Sequence, residues 1–155
     1  MGRLVLVLHL CGGDRHSIDH SCDYRGSQQP FRNGVVNGTA LQDVIVCQFD
    51  ELDDPGSKEF RFGEGDWPFR GFVVREGDDV FAYQNYCVHA GHPLNWKPDS
   101  FLTPDGSQII CSSHGAAYDI KSGVCVAGPC PGKKLRVLDV EIREGMVIAQ
   151  VPKNL

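Results

Sequence analysis

No stretch of ten or more residues in this chain repeats its apolar side chains at helical spacing, and that restricts its fold more than any other feature. Short apolar runs alternate instead with clusters of Gly, Pro, Asp and Asn. Residues 44–49 form a β-branched run, followed by the turn-rich Asp53-Asp54-Pro55-Gly56, and Phe60 and Phe62 alternate with charged residues. Residues 72–75 and 80–83 flank Glu76-Gly77-Asp78-Asp79 and read as strand, tight turn, strand. Ile109-Ile110 leads into Cys111, and residues 117–120 lead into Lys121-Ser122-Gly123. The chain then predicts a last hairpin, with strands at 135–142 and 146–151 about Arg143-Glu144-Gly145. The pattern is all-β, built of short antiparallel strands.

Size and charge narrow the function. A chain of 155 residues, 41% hydrophobic and 23% charged, is large enough to bury a core without disulfide staples. Its longest apolar run, residues 4–8, falls far short of the roughly 20 residues that cross a bilayer, so no membrane span is expected. A net charge of −5 argues against nucleic acid as the main partner, because phosphate binding needs clustered Lys and Arg. Residues 1–42 differ in texture, polar and Gly-rich after a short apolar start, and are expected to be a poorly ordered extension ahead of a domain at 43–155. Cys11, His16, His20 and Cys22 in that extension match no zinc spacing.

Seven Cys and six His point to metal ligation in a reducing, cytoplasmic setting. Two boxes concentrate them: Cys87-Val88-His89 and Cys111-Ser112-Ser113-His114. Each pairs one thiolate with one imidazole, and each follows an expected strand. Gly91 lies two residues beyond the first box and Gly115 directly after the second, where glycine lets backbone N–H groups approach a bound inorganic group. A third loop, Ala127-Gly128-Pro129, comes after the next short hairpin. Zinc held by the same four side chains is the competing reading.

The pattern C-x-H-x-G, C-x-x-H-G, G-P resembles the Rieske family of [2Fe–2S] proteins over residues 44–151 or so. Pro93-Leu94 after the first box, and Tyr118-Asp119 with Ser122-Gly123 after the second, extend the likeness. The resemblance implies a Rieske-like fold, with antiparallel base sheets contributed by both ends of the domain and a small cluster-binding subdomain at about 83–130. It implies one [2Fe–2S] cluster per chain, Cys87 and Cys111 holding the inner iron and His89 and His114 the outer one. Gly91, His92, Ser113, Gly115, Ala116, Tyr118, Gly128 and Pro129 would surround it. Two thiolates and two neutral imidazoles leave the oxidised cluster uncharged, whereas four thiolates leave it a dianion. The neutral cluster accepts an electron more readily, which raises the potential from about −400 mV to about −150 to +300 mV.

Departures from the family pattern tune this expectation. His92 and Ser113 stand where high-potential members carry the two Cys of a bridge between the cluster loops. Ala116 stands where they carry a Ser that donates to a bridging sulfide, while Tyr118 matches their Tyr donor to a Cys sulfur. One potential-raising donor of two is therefore missing, and an intermediate or low Rieske potential is expected. Cys125 and Cys130, either side of Gly128-Pro129, read as packed free thiols, with a local disulfide as the alternative under oxidation. Cys47 reads as core. Residues 95–107 form an insertion between the boxes, expected to enlarge a surface loop, with shielding of the cluster as the alternative.

The function implied is that of an electron carrier, the ferredoxin component of an oxygenase or a similar redox system, without turnover of its own. Its partners would be a flavin reductase and an oxygenase or reductase subunit, and no small-molecule substrate pocket is expected. The alternative is a small subunit or regulatory module of a larger reductase such as nitrite reductase. Lys97, Lys121, Lys133 and Lys134 lie in or near the cluster loops, so the docking face is expected to be less acidic than the whole.

Overall fold

The computed structural model describes residues 35, 36 and 39–153, all within one compact unit, and the Cys11, His16, His20 and Cys22 cluster lies outside them. Three antiparallel sheets account for the described strands. The first, in the order β1-β2-β11-β10, comprises β1 (Val35–Val36), β2 (Thr39–Gln48), β10 (Val140–Arg143) and β11 (Met146–Pro152). It joins the two ends of the domain through the β2–β11 pair, in which Val44 faces Ala149 and Cys47 faces Val147. Strand β2 begins at Thr39, within the stretch read from sequence as an extension. The second sheet, β3-β4-β5-β9, comprises β3 (Gly56–Phe62), β4 (Phe69–Glu76), β5 (Asp79–Gln84) and β9 (Val137–Leu138). The third, β6-β7-β8, is small: β6 (Ile109–Ile110), β7 (Ala117–Tyr118) and β8 (Cys125–Ala127).

The second sheet is the middle layer, and its strands show why. Successive side chains of a strand point to opposite faces, and β4 and β5 are apolar on both. Val73, Ala82 and Phe69 join Cys47, Val147, Ala149 and Val151 in a core against the first sheet. Phe72, Val74 and Tyr83 join Leu94, Ile109, Tyr118, Ile120 and Leu135 in a second core on the side of the two Cys/His boxes. Burial on both faces explains the unbroken run Phe72-Val73-Val74, all 0% exposed. Gly71 has no room for a side chain, since a Cβ there would meet the Phe60 ring at 2.3 Å. The Tyr83 hydroxyl crosses between layers and donates to the Ile120 carbonyl at 2.7 Å.

Both expected hairpins form, each with a two-residue turn. Between β10 and β11, Glu144 (φ 52°) and Gly145 (φ 76°) are both left-handed, which suits the right-handed twist of the strands they join. The single strand expected over 135–142 is two. Val137–Leu138 pairs with β5 and Val140–Arg143 with β11, so the chain changes sheets at Asp139, while Leu135 is buried ahead of both. The insertion at 95–107 also departs from expectation. Phe101 is 0% exposed and its ring stacks on Phe72, centroids 4.1 Å apart and 4° from parallel. The insertion supplies a core aromatic to the box-bearing half as well as a surface loop.

Candidate metal centre

The two boxes fold alike. Measured from its cysteine, each loop makes the same pair of backbone hydrogen bonds. In the first, Gly91 N–H donates to Cys87 O at 2.8 Å and Cys87 N–H to His92 O at 2.8 Å. In the second, Gly115 N–H donates to Cys111 O at 3.1 Å and Cys111 N–H to Ala116 O at 2.8 Å. Gly91 (φ 73°) and Gly115 (φ 68°) therefore occupy equivalent left-handed positions, four residues after the cysteine, where a side chain would strain the loop. Each turn aims N–H groups at its own sulfur: those of Ala90 and His89 at Cys87, those of Ser113 and His114 at Cys111.

The folded loops bring together the four expected ligands in two layers. Cys87 and Cys111 are 0% exposed, with sulfurs in hydrogen-bonding reach of one another. His89 and His114 are exposed, their rings edge to face at 85° with centroids 5.1 Å apart. Two imidazoles at a tetrahedral angle about one ion stand roughly 5 Å apart, given metal–nitrogen bonds of about 2 Å. Among the described residues no three His, Cys, Asp or Glu side chains converge as a single ion would require. Two side chains per metal is the donor set of a two-iron, two-sulfide cluster, each iron completing its coordination with bridging sulfide. The residues fit such a group better than a zinc ion, which takes all four ligands about one point.

Neighbouring groups are placed to favour negative charge on the Cys87 sulfur. Burial pushes the Cys87 thiol up, but the Tyr118 hydroxyl, 3.5 Å from its sulfur, and the N–H groups of Ala90 and His89 outweigh burial and hold it below the usual thiol range. Burial raises Cys111, and the nearby Cys87 sulfur adds to the effect against the N–H groups of Ser113 and His114. Tyr118 is buried and stays protonated, raised well above the ordinary phenol by burial and by the sulfurs it faces. The methyl of Ala116 is buried and offers no hydrogen bond. His92 is half-buried, its Nδ1 2.9 Å from the Pro93 carbonyl and its ring 6.3 Å from that of His114. The third loop packs backbone against backbone, since a Cβ on Gly128 would meet Gly115 O at 2.7 Å and Ala116 Cα at 2.8 Å. Pro129, next to it, is exposed.

A polar brace escaped the sequence reading. Asn85, 4% exposed, accepts from Leu94 N–H through Oδ1 at 2.8 Å and donates through Nδ2 to Asn95 Oδ1 at 2.8 Å. Asn95 donates in turn to Glu59 at 3.0 Å, and Arg70 Nε donates to Glu59 at 2.8 Å. The Leu94 carbonyl accepts both the N–H of Ser112 at 2.8 Å and its hydroxyl at 2.7 Å. Leu94 thereby ties the first box to the second. An open cleft of about 390 Å³ between residues 51–58 and 99–102 contains none of the box residues.

A β-domain whose paired loops present a buried sulfur pair beneath an exposed imidazole pair belongs to the class of iron–sulfur electron-transfer modules. More closely, the chain belongs to the Rieske [2Fe-2S] domain family, whose model matches residues 42–151. Domains of this family bind one [2Fe–2S] cluster. The ferredoxin CarAc of Metapseudomonas resinovorans is 36% identical over 75 residues, 48% of this chain and 64% of that protein, less than two thirds of its length. The menaquinol:cytochrome c reductase iron-sulfur subunit of Bacillus subtilis is 26% identical over 121 residues, covering 73% of this chain and 70% of that one. In structure the chain is similar to the ferredoxin of carbazole 1,9a-dioxygenase from Nocardioides aromaticivorans IC177. There the identity is 26% and the TM-score 0.56, over 72% of this chain and 99% of that one.

Proposed function

We propose that this protein is a Rieske-type ferredoxin, carrying one electron at a time between a reductase and an oxygenase-type acceptor, with no turnover of its own. Cys87 and Cys111 would hold the inner iron and His89 and His114 the outer one. When bound, the cluster supplies a one-electron acceptor whose neutral oxidised charge favours reduction. The chain's own groups do the rest. The buried sulfur pair excludes water, the N–H groups of His89, Ala90, Ser113 and His114 and the Tyr118 hydroxyl spread the added charge, and the exposed imidazoles shorten the path to a docked partner. The observation that carries this reading is the equivalence of the two loops, which puts both sulfurs inside and both imidazoles at the surface.

The likeness to the ferredoxin of carbazole 1,9a-dioxygenase from Nocardioides aromaticivorans IC177 supports an oxygenase as the acceptor. Tyr86 and Val126, each 50% exposed on or beside the cluster loops, offer apolar contact area, while Lys133 and Lys134 are exposed close by. Among the described residues no helix is long and apolar enough to cross a membrane, and the five described cysteines are free thiols. The free thiols support our placing of the carrier in the cytoplasm, where thiols stay reduced.

A second reading, the iron–sulfur subunit of a larger reductase, draws on the longer match to the Bacillus subtilis protein. Against it, His92 and Ser113 occupy the positions at which high-potential members bridge their loops. Iron and acid-labile sulfide analysis with EPR of the dithionite-reduced protein tests the centre. Two irons and two sulfides per chain, with an average g below that of an all-thiolate cluster, are expected. Absence of iron and sulfide would refute it. Rapid reoxidation by an oxygenase component, set against reoxidation by a cytochrome c, separates the two readings.

A further inference from the structure

Two sulfurs outside the cluster seat lie close to it. Cys125, at the start of β8, and Cys130 are free thiols, 2% and 3% exposed, and the Cys130 thiol donates to Cys125 Sγ at 3.2 Å. A disulfide has sulfurs about 2.05 Å apart, so closing the bond takes a shift of roughly 1 Å. The backbone already holds the two ends together. Cys125 N–H donates to Lys133 O at 2.7 Å, Gly132 N–H to Cys125 O at 2.8 Å, and Lys133 N–H to Cys130 O at 3.1 Å. On its other side Cys130 Sγ stands 3.6 Å from the Tyr118 hydroxyl, which is 3.5 Å from Cys87 Sγ. The Tyr118 hydroxyl thus bridges the two sulfurs.

We propose that Cys125 and Cys130 form a reversible dithiol–disulfide site, oxidised by peroxide, whose state is relayed to Cys87 through the Tyr118 hydroxyl. One thiol sulfur attacks a peroxide oxygen, the O–O bond breaks, and a sulfenic acid and one water form. The second sulfur then attacks the sulfenic sulfur, the S–O bond breaks, and a second water leaves with the remaining thiol proton. Two thiols and one hydrogen peroxide give one disulfide and two waters. The covering segment, residues 126–129, is exposed, and β8 is an edge strand of its sheet, so local opening uncovers the sulfurs. Burial keeps the Cys125 thiol protonated, which suits a response to sustained rather than fleeting oxidant. Closing so short a loop constrains the unfolded chain less than a long-range bridge would.

The relay follows from counting protons. On oxidation Cys130 Sγ moves toward Cys125 and away from Tyr118, and the Tyr118 hydroxyl, still protonated, directs its hydrogen bond to Cys87 alone. A stronger hydrogen bond to a ligand sulfur favours the reduced cluster, so the midpoint potential rises. The relay rests on the reading of Cys87 as a cluster ligand; the disulfide does not.

The test treats the purified holoprotein with hydrogen peroxide at a dose that leaves its visible absorbance intact, then alkylates free thiols and digests with trypsin. Peptide 122–133 carries both cysteines. We expect it unalkylated and lighter by two hydrogens, restored to the doubly alkylated form by a dithiol reductant, and never closed in Cys125→Ser or Cys130→Ser. The midpoint potential should move upward by about a threefold change in the one-electron equilibrium, tenfold corresponding to 59 mV. Tyr118→Phe should still form the disulfide without that shift. A peptide alkylated at both cysteines after peroxide overturns the site. A disulfide with no shift, or a shift that survives Tyr118→Phe, overturns the relay. A chain that forms the disulfide but binds no iron overturns the cluster reading and leaves the thiol site standing.

Discussion

Replacing Asn85 by Ala should weaken the domain and the cluster seat together. The substitution removes the acceptor 2.8 Å from the Leu94 N–H and the donor 2.8 Å from Asn95 Oδ1, at a side chain only 4% exposed. A buried N–H left without a partner costs about 1–3 kcal/mol, and the lost neutral pairing with Asn95 about 1 more. The sum is about 2–4 kcal/mol, out of a total of about 5–15 for a domain of this size. At roughly 4 °C per kcal/mol, the melting temperature should fall by about 8–16 °C. Because the Leu94 carbonyl receives both groups of Ser112, the loosening should reach the second box, and iron release to a chelator should quicken. Asn85→Asp sharpens the test. It keeps the acceptor for Leu94 but turns an oxygen toward Glu59, 3.5 Å from the present amide nitrogen. Burial and Glu59 would raise the new carboxyl above its unfolded value of about 3.9. That variant should therefore be weakest at neutral pH and draw closer to wild type as pH falls toward about 5. A melting temperature for Asn85→Ala within about 4 °C of wild type, with unchanged iron release, would refute the brace.

Three further outcomes are expected. Glu59, whose side chain is 8% exposed, is pushed up by burial, but hydrogen bonds from Asn95 and Arg70 and the Arg70 charge outweigh burial and hold it below its unfolded value of 4.5. Its contribution is therefore present above about pH 4.5 and lost as pH falls through the lower folded value. Denaturation midpoints between pH 3 and 6 should fall more steeply for wild type than for Glu59→Gln. Ala116→Ser restores a hydroxyl where higher-potential relatives place one, and voltammetry should show its midpoint above that of wild type, itself below about +200 mV. Gly128→Ala drives a Cβ to 2.7 Å from Gly115 O at a backbone φ of 93°, so the third loop must part from the second. Its expression should give chain with less than half the wild-type iron content; full iron occupancy would contradict the close packing.

What the sequence disclosed and what it withheld divide along a physical line. Strands with a local cause were legible. Gly77 and Gly145 announce turns, and Phe72-Val73-Val74 is apolar because both its faces are covered. The change of sheet at Asp139 was not legible, because nothing local tells residues 137–138 from 140–142. What separates them is that β5 offers one free edge and β11 another. The buried role of Phe101 was hidden likewise, since its partner Phe72 is remote in sequence.

The site divides in the same way. Its ligand types and glycines can be read one residue at a time, whereas Asn85 matters through Leu94 and then Ser112, a chain of contacts that exists only once folded. The loops add a point of their own. Written as C-x-H and C-x-x-H the boxes look unequal, yet their backbones are equivalent from each cysteine to the glycine four residues on. The inequality lies only in which position of a shared turn bears the imidazole, the second after Cys87 or the third after Cys111. One turn design, used twice, buries a sulfur and turns N–H groups onto it. From those different steps of the turn the two rings meet edge to face at 85°, their centroids 5.1 Å apart. The spacing that looks irregular in the sequence thus sits on two backbone turns of one design.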